Sequence, residues 1–402
     1  MNKFIIIDPS LKSYNGHFLT YDNSIAIVAK EFGFQTTVIS SQNATDLPCE
    51  FDMVPKFRYE LEHDFINTVF FNNSKIVKKI NKYFVNRYFF FDFESAVQKI
   101  CIEKNSLFFI HTTTYRQIIP LIKWVKKNKK LNPIIFIMLR YAPSPNPYYP
   151  FSGDFYEYRL SLKYLEESGV SKYFRLIVDS DLLQEEYSLI TDIPVQLVPI
   201  PHTMYQNVFS NDDIEKKSQN KLLTYLGNAR STKGFQYLPY LIEKIQNELK
   251  LGEWEAEFQA NVMFLRDRES VISVSLMRNL PVKLLEKELS LREYESLLKR
   301  SSLVLIPYQL LYYYSQTSGV FCEALGAGKP VVVPRGTWMA NQLKGKNIGV
   351  TFIPGDRVSF TDATIKAMKN ISELIFNAEK YRSEWISYHN PHNFFKSLME
   401  IV

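Results

Sequence analysis

The sequence predicts an α/β protein built from two doubly wound, parallel-sheet domains. Short β-branched or aliphatic runs recur along the chain with helical patterns between them, the alternation that builds parallel sheets. It pauses at a proline-flanked turn, Pro199-Ile200-Pro201-His202-Thr203, and restarts at Leu222. At 402 residues the chain suits two domains of about 200 residues, each large enough for its own core.

In the first half Lys3 to Ile7, Thr36 to Ser40, Leu107 to Ile110, Pro133 to Met138, Phe174 to Val178 and Val195 to Val198 read as buried strands. In the second half the strands are Leu222 to Leu226, Val282 to Leu284, Leu303 to Ile306, Pro330 to Val333 and Val350 to Ile353. The expected division is a first domain over 1–203, a second over 204–382 and a closing segment over 383–402, with a hinge near 200–218. Such sheets take ligands outside the carboxyl ends of their strands, so two of them facing each other are expected to form a site in the cleft between them.

Composition narrows the class. Hydrophobic residues make up 46% and aromatics 15%, with no low-complexity tract and no short repeat, as in a globular protein. Cys49, Cys101 and Cys322 are scattered without disulfide or metal-ligand spacing, which fits a reducing cytoplasm. The apolar run before Asp8 is too short for a signal-peptide core, and no run approaches the length that spans a bilayer. The chain therefore reads as soluble or peripheral at a membrane. Its net charge of +6 is modest, but basic residues gather at Lys75 to Arg87 and Lys123 to Lys130. Helices interleaving Tyr83, Phe84 and Trp124 with lysines suit an anionic membrane surface; solvated helix faces are the plainer reading. No nucleic-acid fold signature accompanies the charge, so nucleic acid is not an expected partner.

Leu303 to Pro334 is the most informative segment: a buried strand, a loop, a helix with one acidic residue, and a second buried strand. The helix is expected to open near Thr317-Ser318-Gly319 and to close at Gly328, hydroxyls at its start and glycine at its end. Its amino end is an anion seat, where unpaired N–H groups and the helix dipole offset a phosphate charge. Glu323 is a lone carboxylate on an apolar helix, and a ribose diol would offer it two donors. The alternatives are a glutamate that favours the helix dipole or one that pairs with Lys329.

This segment resembles the donor-binding region of retaining, family-4-like GT-B glycosyltransferases, which carry two glutamates eight residues apart followed by an E-A-x-A-x-G-K-P-V run. Glu323 to Val331, EALGAGKPV, matches the second half. The resemblance implies that Glu323 holds the ribose hydroxyls. In the first half Ser315, beside Gln316, stands where the family places a glutamate on the donor sugar. Leu222 to Leu238, LLTYLGNARSTKGFQYL, is similar to the family's G-x-x-x-x-x-K-G loop. By that likeness Gly227 and Gly234 shape the loop, while Arg230 and Lys233 grip the donor phosphates, arginine as a fork and lysine as a point charge. An isolated R-x-x-K would read as solvated charge; two motifs in the right order weaken that reading. Similar strings in the family read G-D-A-R, so Asn228 stands where an aspartate nucleophile or base is expected.

On the acceptor side Lys12 to His17, KSYNGH, resembles the glycine-bearing loop near the acceptor, which makes Tyr14, Asn15, Gly16 and His17 candidates. His111 and Arg140 follow predicted strands and are expected to line the cleft, with the histidines as catalytic candidates and a structural role as the alternative. Tyr141 to Phe155, YAPSPNPYYPFSGDF, offers tyrosines that suit sugar faces. Asp179-Ser180-Asp181 resembles a D-x-D metal motif but reads here as a helix start, so activity is expected to survive EDTA.

The resemblance thus implies the GT-B fold, two Rossmann-like domains facing across a cleft, with the closing segment crossing back onto the first domain. It implies a glycosyltransferase that moves sugar from a nucleotide-sugar to a glycan or lipid-linked glycan, with no cofactor and no metal required. The setting would be a bacterial cell-surface glycan such as lipopolysaccharide, O-antigen or capsule. The acceptor would be met in the cytoplasm or at the inner face of its membrane. Ser315 and Gln316 remove negative charge beside the sugar and so suit an acidic sugar such as Kdo carried on CMP. UDP- or GDP-hexose is the competing donor, and a non-catalytic sugar-nucleotide scaffold or an epimerase of related fold is the competing class.

Overall fold

The computed structural model describes residues 2–12, 17–44, 47, 49–59, 75–144, 154–201, 221–250, 252–261 and 267–402. Among them the chain forms two compact units, the first running through Pro201 and regaining Asn390–Val402, the second ending at His389.

The first unit alternates strands β1 Asn2–Asp8, β2 Phe34–Ser41, β3 Asp52–Phe57, β4 Leu107–Ile110, β5 Ile134–Met138, β6 Phe174–Val178 and β7 Val195–Leu197 with helices. The helices are α1 His17–Glu31, α2 Lys75–Ile100, α3 Tyr115–Lys127, α4 Phe155–Glu166 and α5 Asp181–Ser188. Its seven strands lie in the order β3-β2-β1-β4-β5-β6-β7, every pair parallel. The order turns outward in both directions from β1 and β4, which is the arrangement that leaves a binding crevice at the strands' carboxyl ends. Strands this apolar need cover on both faces: Phe93, Phe108 and Trp124 pack edge to face on one side.

The second unit has β8 Lys221–Tyr225, β9 Trp254–Gln259, β10 Lys283–Leu285, β11 Leu303–Leu305, β12 Val331–Pro334 and β13 Gly349–Phe352. These strands are joined by α6 Leu238–Lys244, α7 Gln246–Lys250, α8 Arg268–Met277, α9 Leu291–Arg300, α10 Leu310–Tyr313, α11 Gly319–Gly326, α12 Trp338–Gln342, α13 Arg357–Lys369 and α14 Ile371–Tyr388. Its order is β10-β9-β8-β11-β12-β13, again all parallel. The last helix, α15 Pro391–Glu400, belongs to the first unit. Its Phe395 packs edge to face on Phe4, Phe394 lies 5.4 Å from Phe109, and Arg175 Nε donates to the Ile401 carbonyl.

Two strands escaped the sequence pattern. β3 is an edge strand, DMVPKF, half-exposed and interrupted by Pro55, so it has no apolar run to announce it. β9, WEAEFQ, carries Glu257 within the sheet, where the bidentate Arg300 guanidinium holds it at 3.0 Å and Lys283 at 3.3 Å. That pairing keeps the Glu257 carboxyl below its usual range, Arg300 being the larger cause. No continuous helix runs on from Lys233: 3-10 turns at Ser231–Lys233 and Phe235–Tyr237 precede α6, which starts at Leu238. The reason is Gly234, whose φ of +70° breaks the helical path.

Candidate functional site

The loop after β8 is built by its glycines. Gly227 adopts φ +119°, and its N–H donates to Gln259 Oε1 at 2.8 Å. Gly234 passes so close to the chain after β11 that an added Cβ would sit 1.8 Å from the Pro307 carbonyl oxygen. Gln309 secures the contact, its N–H bonding the Thr232 carbonyl at 3.0 Å and its side chain the Ser231 carbonyl at 2.8 Å. The Ser231 N–H is taken by Asp267, which also caps α8. Asn228 lends its backbone carbonyl to the Tyr225 hydroxyl at 2.9 Å.

This scaffold brings together residues that the sequence could only list separately. Lys233 Nζ lies 5.3 Å from the centre of the Tyr308 ring, and Arg230 and Lys233 both act electrostatically on the Tyr313 phenol. Arg230 Nε is buried and makes no hydrogen bond among the described residues, a donor without an acceptor. Tyr308, whose phenol is pushed up by burial, is hydrogen bonded to Ser318. Ser318 is the N-cap of α11: its hydroxyl accepts from the Phe321 N–H at 3.3 Å, and the helix begins at Gly319. The two cations and the helix amino end therefore converge around the Tyr308 and Tyr313 rings, whose centres lie 4.3 Å apart, and the first-turn amides add donors of the same sign. Gly319, Gln316 and Thr317 are half-buried along this rim, and Ser315 is buried.

Glu323 is placed differently from a solvent-facing ligand. It is buried, and its Oε2 accepts from the Tyr294 hydroxyl on α9, while its Oε1 faces Gly319, lying 4.0 Å from where a Cβ would stand there. The side chain thus points back toward the helix start. Lys329 is no partner to it; its Nζ donates to the Lys299 carbonyl at 2.6 Å and so closes the end of α9.

In the first unit Asp8, at the end of β1, and Asp22, on α1, meet His111, which follows β4. The His111 Nε2 lies 3.2 Å from Asp8 Oδ2 and 3.6 Å from Asp22 Oδ1, and all three side chains are at most 2% exposed. Burial, then the Asp8 charge, raises the Asp22 carboxyl well above its ordinary range. His111 therefore lies within a buried ionic group and presents no exposed face in this structure. Arg140 sits beside it, paired with Asp179 at 3.3 Å and stacked 4.7 Å from the Tyr21 ring centre. Asp179 is thus a partner for arginine, while Ser180 caps α5, bonding the Leu183 N–H at 3.4 Å, as the helix-start reading of that triplet expects. Tyr14, Asn15 and Gly16, like residues 145–153 of the aromatic loop, lie outside the described residues, and His17 opens α1.

Sequence reasoning missed Asp8, Asp22, Tyr294 and Tyr308. A carboxylate ending a strand and another on an amphipathic helix carry no motif. Tyr308 was within reach, as a tyrosine directly after the β11 run.

Neither protein-family models nor curated proteins match this sequence. Solved structures match along the whole chain. Sucrose-phosphate synthase from Thermosynechococcus elongatus aligns with TM-score 0.70 at 12% identity, covering 100% of this chain and 98% of that one. HepE from Anabaena, in complex with UDP-glucose, aligns with TM-score 0.64 at 12% identity, covering 100% and 99%. WaaG, a glycosyltransferase involved in lipopolysaccharide biosynthesis, aligns with TM-score 0.58 at 14% identity, covering 100% of both chains. These neighbours share one architecture, two parallel-sheet α/β domains, and it is the architecture the sequence predicts.

Proposed function

We propose, on the premise that this chain has the GT-B fold of those neighbours, that it is a glycosyltransferase taking its sugar from a nucleotide-sugar. The observation that carries the proposal is the convergence of Arg230, Lys233 and the α11 amino end around the Tyr308 and Tyr313 rings, with a buried guanidinium nitrogen lacking an acceptor among the described residues. Phosphate oxygens supply what that nitrogen lacks, and three kinds of positive donor meet their charge without a metal at this point. Glu323, held by Tyr294, acts on the nucleoside side from the first turns of α11.

A uridine nucleotide is the first donor to test, since the HepE structure holds UDP-glucose. A CMP-activated acidic sugar such as CMP-Kdo is the second reading, favoured by Ser315 and Gln316 at the position where a glutamate would repel a carboxylate. The acceptor we propose is a growing cell-surface glycan, presented at an anionic membrane. The exposed side chains of neighbouring helices α2, α3 and α4 support this: Phe84, Phe91, Tyr156, Leu160 and Tyr164 alternate with Arg87, Lys123, Lys126, Arg159 and Lys163.

Calorimetry with UDP, GDP and CMP, with and without EDTA, tests the core of the proposal. One nucleotide should bind in both conditions, and Arg230→Ala or Lys233→Ala should weaken it by roughly 10- to 100-fold, the loss of one charge-assisted contact. Absence of binding by all three, or binding indifferent to both substitutions, overturns it. Rates of the wild type and Asn228→Asp on the donor that binds then test whether a carboxylate at this position governs turnover.

A further inference from the structure

We propose that the first unit binds one divalent transition-metal ion between Asp8, Asp22 and His111. The inference stands apart from the donor reading, since every residue it uses lies in the first unit.

The three side chains come from separate elements, the end of β1, the helix α1 and the residue after β4, and offer one ligand atom each within 4.8 Å of one another. Ligand atoms held about 2 Å from a common ion lie roughly 3 Å apart, and the observed separations from His111 Nε2 are 3.2 Å and 3.6 Å. His111 is the observation that lifts this above an acidic cluster. It is 2% exposed, its Nε2 points at both carboxylates, and that nitrogen makes no hydrogen bond among the described residues. On the far side of the ring Nδ1 lies 2.9 Å from Thr112 Oγ1; donation there leaves the Nε2 lone pair toward Asp8 and Asp22, the tautomer of a metal ligand. Asp8 Oδ2 and both oxygens of Asp22 likewise have no hydrogen-bond partner among the described residues.

Charge balance points the same way. Three buried carboxyl groups, Asp8, Asp22 and Asp179, meet here with Arg140 as the lasting positive charge. A divalent ion seated between Asp8, Asp22 and His111 would offset the excess. The competing account is protonation, with a proton shared between the Asp8 and Asp22 carboxyls. A set of one imidazole and two carboxylates suits zinc or manganese better than magnesium or calcium, which prefer oxygen alone.

The full chain, loaded separately with Zn²⁺ and Mn²⁺ at pH 8, desalted and assayed for metal by mass spectrometry, tests the site. We expect one equivalent of one of these metals and a raised Tm. Asp22→Asn and His111→Gln, both close in shape and checked for folding by circular dichroism, should lose the equivalent. Arg230→Ala should keep it, which separates this site from the phosphate clamp. Less than a tenth of an equivalent in the wild type with an unmoved Tm, or full retention by folded Asp22→Asn, overturns the proposal in favour of protonation.

Discussion

Gly234→Ala tests the loop on which the proposed phosphate clamp depends, and its cost can be built from the geometry. The new Cβ would stand 1.8 Å from the Pro307 carbonyl oxygen and 2.6 Å from its carbon, so backbone must move by more than an ångström. The alanine must also hold φ near +70°, a cost of about 1 kcal/mol. Separating the two segments loosens the Gly234 N–H bond to Ser231 at 2.9 Å and the two Gln309 bonds at 3.0 Å and 2.8 Å. At about 1 kcal/mol for each hydrogen bond the total is roughly 3–5 kcal/mol, a large share of what stabilises a domain. Gly252→Ala is the control: its φ is +73°, but among the described residues nothing lies within 4 Å of its added Cβ, so about 1 kcal/mol is expected. Urea unfolding followed by tryptophan fluorescence reads the difference, because Trp254, Trp338 and Trp385 all lie in the second unit. With a slope of about 2 kcal/mol per molar urea, Gly234→Ala should lower the midpoint by about 2 M and Gly252→Ala by about 0.5 M. Equal midpoints for the two variants would refute the close-approach argument.

Two pH dependences and one packing change follow from the same structure. Burial lowers the Lys329 ammonium to about 8, so between about 8 and 10.5 the unfolded chain binds more protons than the folded one and stability rises with pH. The stability difference between wild type and Lys329→Met should shift in favour of the wild type by up to about 3 kcal/mol across that window; a difference flat with pH would count against it. His389 follows the same sign at lower pH: burial, with its ring 4.1 Å from that of Trp385, lowers it to about 4, so stability falls as pH drops from about 6.5 to 4. His389→Phe should flatten that acid limb, and an unchanged limb by differential scanning calorimetry would show the ring is not kept neutral. Tyr294→Phe removes the hydroxyl from which a buried Glu323 oxygen accepts and should cost about 1–3 kcal/mol, much of it recovered in the double variant with Glu323→Gln; additive losses would deny the pairing.

The sheets were legible because parallel strands buried on both faces must be apolar throughout, as in LFFI over Leu107–Ile110 and LVL over Leu303–Leu305. β3 and β9 were not, because an edge strand is excused from that rule and a paired glutamate breaks it. The loop after β8 was legible through spacing, since Gly227, Arg230, Lys233 and Gly234 are close in sequence as well as in space. Asp8, Asp22 and His111 lie on three separate elements, and their meeting is a property of strand order. Spacing along the chain holds no trace of it. Glu323 shows a third case: its helix was readable, but its bond to Tyr294, on another helix, was not.

The return of α15 to the first unit makes folding run against the direction of synthesis. Phe394, Phe395 and Leu398 belong to the same core as Phe4, Ile6 and Phe109, yet they leave the ribosome after every residue of the second unit. The half made first is the half finished last, and until then its apolar face waits for its cover. A nascent chain stalled before Asn390 should therefore hold a completed second unit beside an unfinished first one, with the latter the natural client of a chaperone.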